Sequence, residues 1–140
     1  MIFINKDTAN NFITRFEGKI TLTNPYYLWK LTKVMSNNDN DDIYNVSKNS
    51  IYFMLTDTSA YENAYNLFTL TESPTGSTVG GINTPLALDG GQYEYEVYES
   101  SGLTLSTSAV TGTYIERDIL VVEIEKTVNT SSSKINDIYY

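Results

Sequence analysis

The chain has 140 residues, with 9 basic and 17 acidic side chains, a formal charge of -8, no Cys and no His. This length suits one domain with its own core. The missing residue types exclude disulfides, thiolate nucleophiles, Cys-bearing metal sites and His-based acid–base chemistry. The acidic balance argues against direct binding to a nucleic acid backbone, which needs clustered Lys and Arg.

No stretch approaches the roughly 20 apolar residues of a spanning helix, so no membrane segment is expected. The opening MIFINKDTANNF has too short an apolar run for a signal-peptide core. It reads as the start of a complete product made in a cytoplasm. Asn, Thr and Ser make up about a third of the chain, above ordinary usage. There are 12 Tyr and 1 Trp. This mixture favours strands and turns over helices.

Period-2 alternation marks the elements in chain order. Ile2, Phe3 and Ile4 form a short first strand. Phe12, Thr14 and Phe16 share one face of a second, with Ile13 and Arg15 on the other. Pro25 disfavours a helical Asn24 and starts a third strand over residues 26–35. There Trp29, Leu31 and Met35 share a face opposite Lys30 and Thr32. Residues 36–46 read as a polar loop, and residues 50–55 as a strand with Ile51, Phe53 and Leu55 inward. Residues 58–64 read as a turn or one helical turn, capped by Ser59 with Glu62 three positions on. A strand over 65–72 precedes a Gly/Ser/Thr loop over 73–83 and a short piece over 85–88. Strands follow over 93–99 and 118–128, with one short strand between them near Leu103 and Leu105. The expectation is an all-β antiparallel sandwich of seven or eight strands over residues 1–128. A polar C-terminal tail or docking arm, residues 129–140, carries apolar groups at Ile138, Tyr139 and Tyr140.

The run Asp89-Gly90-Gly91-Gln92-Tyr93-Glu94-Tyr95, preceded by Leu86 and Leu88, resembles the E-to-F corner of immunoglobulin- and fibronectin-III-like sandwiches. In that motif a Tyr hydroxyl bonds back to the backbone and fixes the crossover between sheets. The resemblance gives Tyr93 this role, with Asp89 and Gly91 forming the turn. Tyr95 then stands where antibody domains carry Cys, and Trp29 is the core Trp, placed ahead of strand C as in the fibronectin arrangement. The bland alternative is a hairpin turn at Gly90-Gly91.

A looser resemblance, of layout and composition, links residues 61–72, the Gly/Ser loop, residues 91–99 and the opening TLTNPYYLWKLT to small virion proteins of tailed bacteriophages. It implies a non-enzymatic structural role: a neck or tail-completion ring, a tail or baseplate component, or a capsid decoration. It also implies virion localisation, other virion proteins as partners and a homo-oligomer within a larger assembly.

Candidate chemistry is sparse. Asn37, Asp39 and Asp41 alternate as hard oxygen donors, but Asp42 replaces the Gly that an EF-hand loop needs, so a solvated turn is preferred. Glu94, Glu96, Glu123 and Glu125 alternate on the last two long strands. If those strands pair, one face gathers carboxylates. A solvated face is the first reading, a face awaiting a basic partner the second, and a glycosidase pair a distant third. Ser131 and Lys134 match Ser-x-x-Lys only within the tail, and the Gly76–Gly81 loop lacks the Lys of a phosphate loop. No catalytic, cofactor or metal residue is assigned. The competing class is a carbohydrate- or receptor-binding module, using Tyr and Asn in loops 44–50 and 73–83.

Overall fold

Strand formation follows the alternation of aromatic and aliphatic side chains with polar ones. The computed structural model describes residues 1–16, 18–36, 50–60, 64–109 and 114–124. Eight strands form among them: β1 (Ile2–Ile4), β2 (Thr8–Thr14), β3 (Tyr26–Ser36), β4 (Ser50–Leu55), β5 (Asn66–Ser77), β6 (Gly80–Ile82), β7 (Gly91–Ser100) and β8 (Tyr114–Val122). In β7 the residues Tyr93, Tyr95 and Val97 face inward, while Glu94, Glu96 and Tyr98 between them are half-buried. The protein is all-β.

The strands form two sheets. A six-stranded sheet, ordered β1-β8-β7-β3-β4-β6, curls into a half-barrel. β2 and β5 make a separate antiparallel pair. Between the two lies one core. Phe12, Phe16, Phe68 and Leu70 meet Tyr27, Trp29, Phe53 and Tyr95, and Leu86 and Leu88 join the same cluster. Each fully buried side chain of this size stabilises the fold by about 1.5–3 kcal/mol relative to exposure.

The large sheet is mixed, which departs from a wholly antiparallel design. β1 runs parallel to β8, and β6 runs parallel to β4. Period-2 alternation specifies which face is buried, and carries no information on strand direction. β1 leaves the large sheet after three residues, and the chain turns through Asp7 at φ 55 into β2 of the small sheet.

Several boundaries also differ from the expectation. β2 opens at Thr8 and stops at Thr14, although Phe16 stays buried beyond its end. Residues 73–83 are largely strand. β5 continues to Ser77 despite Pro74, because its ladder to β2 ends at Glu72 and the missing proline N–H breaks no pairing. Gly80 then lets β6 approach β4, since a Cβ there would lie 1.8 Å from the Tyr52 carbonyl oxygen. No strand forms near Leu103 and Leu105, which are exposed; a 3-10 turn spans Thr107–Ala109. β8 begins four residues before Asp118, at Tyr114, in register with Tyr98. Asp57 takes the Ser59 amide into an Asx turn, and residues 61–63 of the expected turn or helical turn lie outside the described residues. Residues 37–49, Glu62 and the tail over 129–140 lie outside the described residues.

Candidate functional site

The turn before β7 places Tyr93. Gly91 adopts φ 138, and Gly90 packs where a Cβ would meet the Glu123 carbonyl oxygen at 2.8 Å. The Tyr93 hydroxyl donates to the Asp89 carbonyl oxygen at 2.8 Å. This four-residue reach-back has the geometry of a tyrosine corner. Two residues on, Tyr95 is buried with its ring 5.3 Å from Trp29. Its hydroxyl donates to Glu116 at 2.6 Å. Burial, and then the Glu116 carboxylate, push the Tyr95 phenol well above its ordinary pKa. Trp29 lies within β3, between β7 and β4, opposite Val97 and Phe53. It stacks on Phe53 at 6.0 Å and meets Phe12 and Phe68 edge-on.

The three described carboxylates of the predicted four, Glu94, Glu96 and Glu123, do not form one acidic face. Arg117 contacts Glu94 at 2.8 Å. Lys30 lies 3.9 Å from Glu96, which also accepts the Tyr98 hydroxyl at 2.6 Å. The neighbouring strands therefore bring compensating cations into the same face. Glu123 lies beyond the end of β8 and accepts the Lys6 amide at 3.0 Å. It joins the β1–β2 connection rather than the Glu94–Glu96 rows. Glu125, Ile138, Tyr139 and Tyr140 lie outside the described residues, as do the Asn37–Asp42 positions and Tyr44.

Three features escaped the sequence reading. The first is the outward face of the large sheet. Tyr114, Tyr98, Leu28, Met54 and Ile82 stand opposite one another on β8, β7, β3, β4 and β6. Leu28 and Met54 are buried outside the core cluster, while the ends of the row remain open, Tyr114 at 49% and Ile82 at 41% exposure. Tyr98 and Tyr114 pack edge-on at 5.7 Å. The adjacent row is polar: Arg117, Glu96, Lys30 and Tyr52. The triplet Leu28-Trp29-Lys30 hid this row, because an apolar residue on the outward face interrupts the alternation that marks a strand.

The second feature is a pair of buried carboxylates. Glu72 accepts the Asp7 and Leu88 amides at 2.7 and 3.1 Å and lies 3.5 Å from Lys6 Nζ. Glu99 accepts the Thr21 and Leu22 amides and the Thr21 hydroxyl. Both fix connections between strands.

The third is a cleft of about 480 Å³ where the 18–25 connection meets the ends of β3, β4 and β5. Asp57 is its acidic residue. Its Oδ1 accepts the Ser59 and Leu67 amides at 2.9 and 3.0 Å, and its Oδ2 accepts Asn66 Nδ2 at 2.7 Å. Burial works to raise the Asp57 pKa, but these hydrogen bonds outweigh it and hold the carboxyl below its ordinary value. Tyr27 also lines the cleft, and its hydroxyl is pushed up to about 12 by burial and by the charges of Asp57 and Glu99. The Asp57-Thr58-Ser59 turn was the available signal for this site. Among the described residues no cluster of three or more His, Cys, Asp or Glu is arranged to hold a metal.

These features define an all-β protein with an outward tyrosine-rich sheet face and a separate polar cleft. No family model matches the chain, and no curated protein or solved structure matches it.

Proposed function

We propose that this chain is a non-enzymatic structural protein of a tailed-phage particle, associating with copies of itself through the outward face of its large sheet. The exposed ends of the row, Tyr114 at 49% and Ile82 at 41%, with half-buried Tyr98 packed on Tyr114, carry this reading; Leu28 and Met54 between them are already buried. Tyrosine and large apolar groups are the usual anchors of protein interfaces. A two-fold interface needs a patch complementary to itself. The adjacent row satisfies that need, since Arg117 and Lys30 flank Glu96 and a rotated copy can set opposite charges together. Engagement of Glu94 and Glu96 by Arg117 and Lys30 also favours an association role over a glycosidase pair.

An immunoglobulin-like sandwich is the finer fold reading. It is supported by the parallel first and last strands, the order β8-β7-β3-β4, the separate β2–β5 pair and the Tyr93–Asp89 bond. The parallel β6 is an addition to that plan. Phage origin rests on the resemblance of layout alone.

Sedimentation of the full chain over a range of concentrations tests the interface. Concentration-dependent association is expected, and the double variant Tyr114→Glu/Ile82→Glu should remain folded but monomeric. A wild-type chain that is monomeric throughout overturns the interface. Absence of the protein from purified particles of the producing phage overturns the virion role.

A further inference from the structure

We propose that the cleft between the 18–25 connection and the ends of β3, β4 and β5 binds a neutral saccharide. Its volume of about 480 Å³ lies within the range of small-molecule sites. The lining combines the residue types that recognise hydroxylated rings. Tyr26 stands at the rim with 46% of its surface exposed, and Tyr27 contributes a phenol that stays protonated at neutral pH. Such residues join an apolar ring to a polar tip. Ile20, Leu22 and Leu55 supply apolar wall, against which the C–H face of a sugar can lie.

The polar groups are held in place before any ligand arrives. Asp57 is fixed by three donors on its two oxygens. Asn66 is fixed on both sides, since its Oδ1 accepts the Phe16 amide at 2.9 Å and its Nδ2 reaches Asp57. Asn24, exposed and held at φ 50, adds an amide that makes no side-chain hydrogen bond among the described residues. Fixed partners lower the ordering cost of binding.

Charge selects the class of ligand. None of the lining residues is Lys or Arg. Asp57 and Glu99 both act on Tyr27, and the whole chain carries -8. A phosphorylated, sulfated or carboxylated ligand would meet this field unpaired. A cation is not required, because amide and hydroxyl donors already compensate Asp57 and Glu99. An uncharged ligand rich in hydroxyl groups remains.

The full chain should be titrated with neutral mono- and disaccharides of glucose, galactose, mannose and N-acetylglucosamine, and in parallel with sialyllactose and heparin fragments. Saturation-transfer NMR and calorimetry give the readout. Binding of at least one neutral sugar, and none of the acidic ones, is expected. Asn24→Ala and Tyr26→Ala lie on the exposed rim and Tyr27→Phe keeps its ring, so each should fold. Each should weaken binding by about tenfold. The interface variant Tyr114→Glu/Ile82→Glu should bind as wild type, which separates this site from the association face. Failure of every neutral sugar, preference for an acidic one, or wild-type affinity in all three cleft variants overturns the proposal.

Discussion

At the residue scale, two tyrosine hydroxyls of β7 are anchored by hydrogen bonds, one to the turn before the strand and one to β8. Tyr93 donates to a neutral backbone carbonyl, and Tyr95 donates to the Glu116 carboxylate. Removing only the oxygen isolates each bond. Tyr93→Phe should cost about 1 kcal/mol, and Tyr95→Phe, which breaks a bond to a charged group, about 1.5–3 kcal/mol. Urea unfolding midpoints measure both; equal losses would contradict the ranking. Backbone constraint is equally local. Gly18 and Gly80 both have positive φ, but a Cβ at Gly18 meets nothing within 4 Å, whereas one at Gly80 would lie 1.8 Å from Tyr52. Gly18→Ala should therefore cost only the conformational strain, about 1 kcal/mol, and Gly80→Ala clearly more, since β6 must leave β4. Thermal denaturation of the two variants side by side tests the difference. The Tyr93–Asp89 bond was legible because both residues stand in one contiguous run. The Gly80 contact was not, because the carbonyl it approaches belongs to Tyr52, 28 positions earlier.

At the element scale, the buried Glu72 joins segments that share no ladder. It holds the turn entering β2 through the Asp7 amide and the 85–88 segment through the Leu88 amide, beside Lys6. Breaking a buried pair on one side costs about 3–5 kcal/mol. Glu72→Ala should fall in that range, and hydrogen exchange at the Asp7 and Leu88 amides should accelerate before the β3–β7 ladder opens. Uniform acceleration across the fold would instead make Glu72 part of the global core alone. The strands themselves were largely readable: β3, β4 and β7 follow aromatic and aliphatic alternation, and their inward residues meet in the core. What alternation could not supply is which strands become neighbours. The acidic face expected from Glu94 and Glu96 dissolves for that reason, since pairing brings Arg117 from β8 and Lys30 from β3 beside them. The cleft was illegible on the same ground, being assembled from three stretches of chain between Gly18 and Asn66.

At the scale of the whole molecule, the composition fixes the shape of the pH–stability curve. With no His, no side chain ordinarily titrates between about pH 5 and 9, so stability should be flat there. The alkaline limb belongs to tyrosine. Burial, and then nearby carboxylates, push Tyr27 and Tyr98 up to about 12, and Tyr95 is raised further. In the unfolded chain each phenol ionises near its ordinary value of 10.0. The unfolded state therefore sheds protons first, and stability present below pH 10 is lost as pH rises toward and beyond 12. The acid limb has the opposite sign. Asp57 and Asp118 are held below 3.8, so the stability they contribute is present above that value and is lost as pH falls through their lower folded-state values. Asp118 is exposed beside the N-terminal ammonium, and salt screens it more than Asp57. The decisive measurement follows tyrosine ionisation by absorbance near 295 nm while circular dichroism reports the fold. Part of the tyrosine absorbance should rise only together with loss of the β-sheet signal. Tyr95→Phe should flatten the alkaline limb while lowering the neutral plateau. Full ionisation of all tyrosines with the sheet signal intact would show that the buried phenols do not govern the limb.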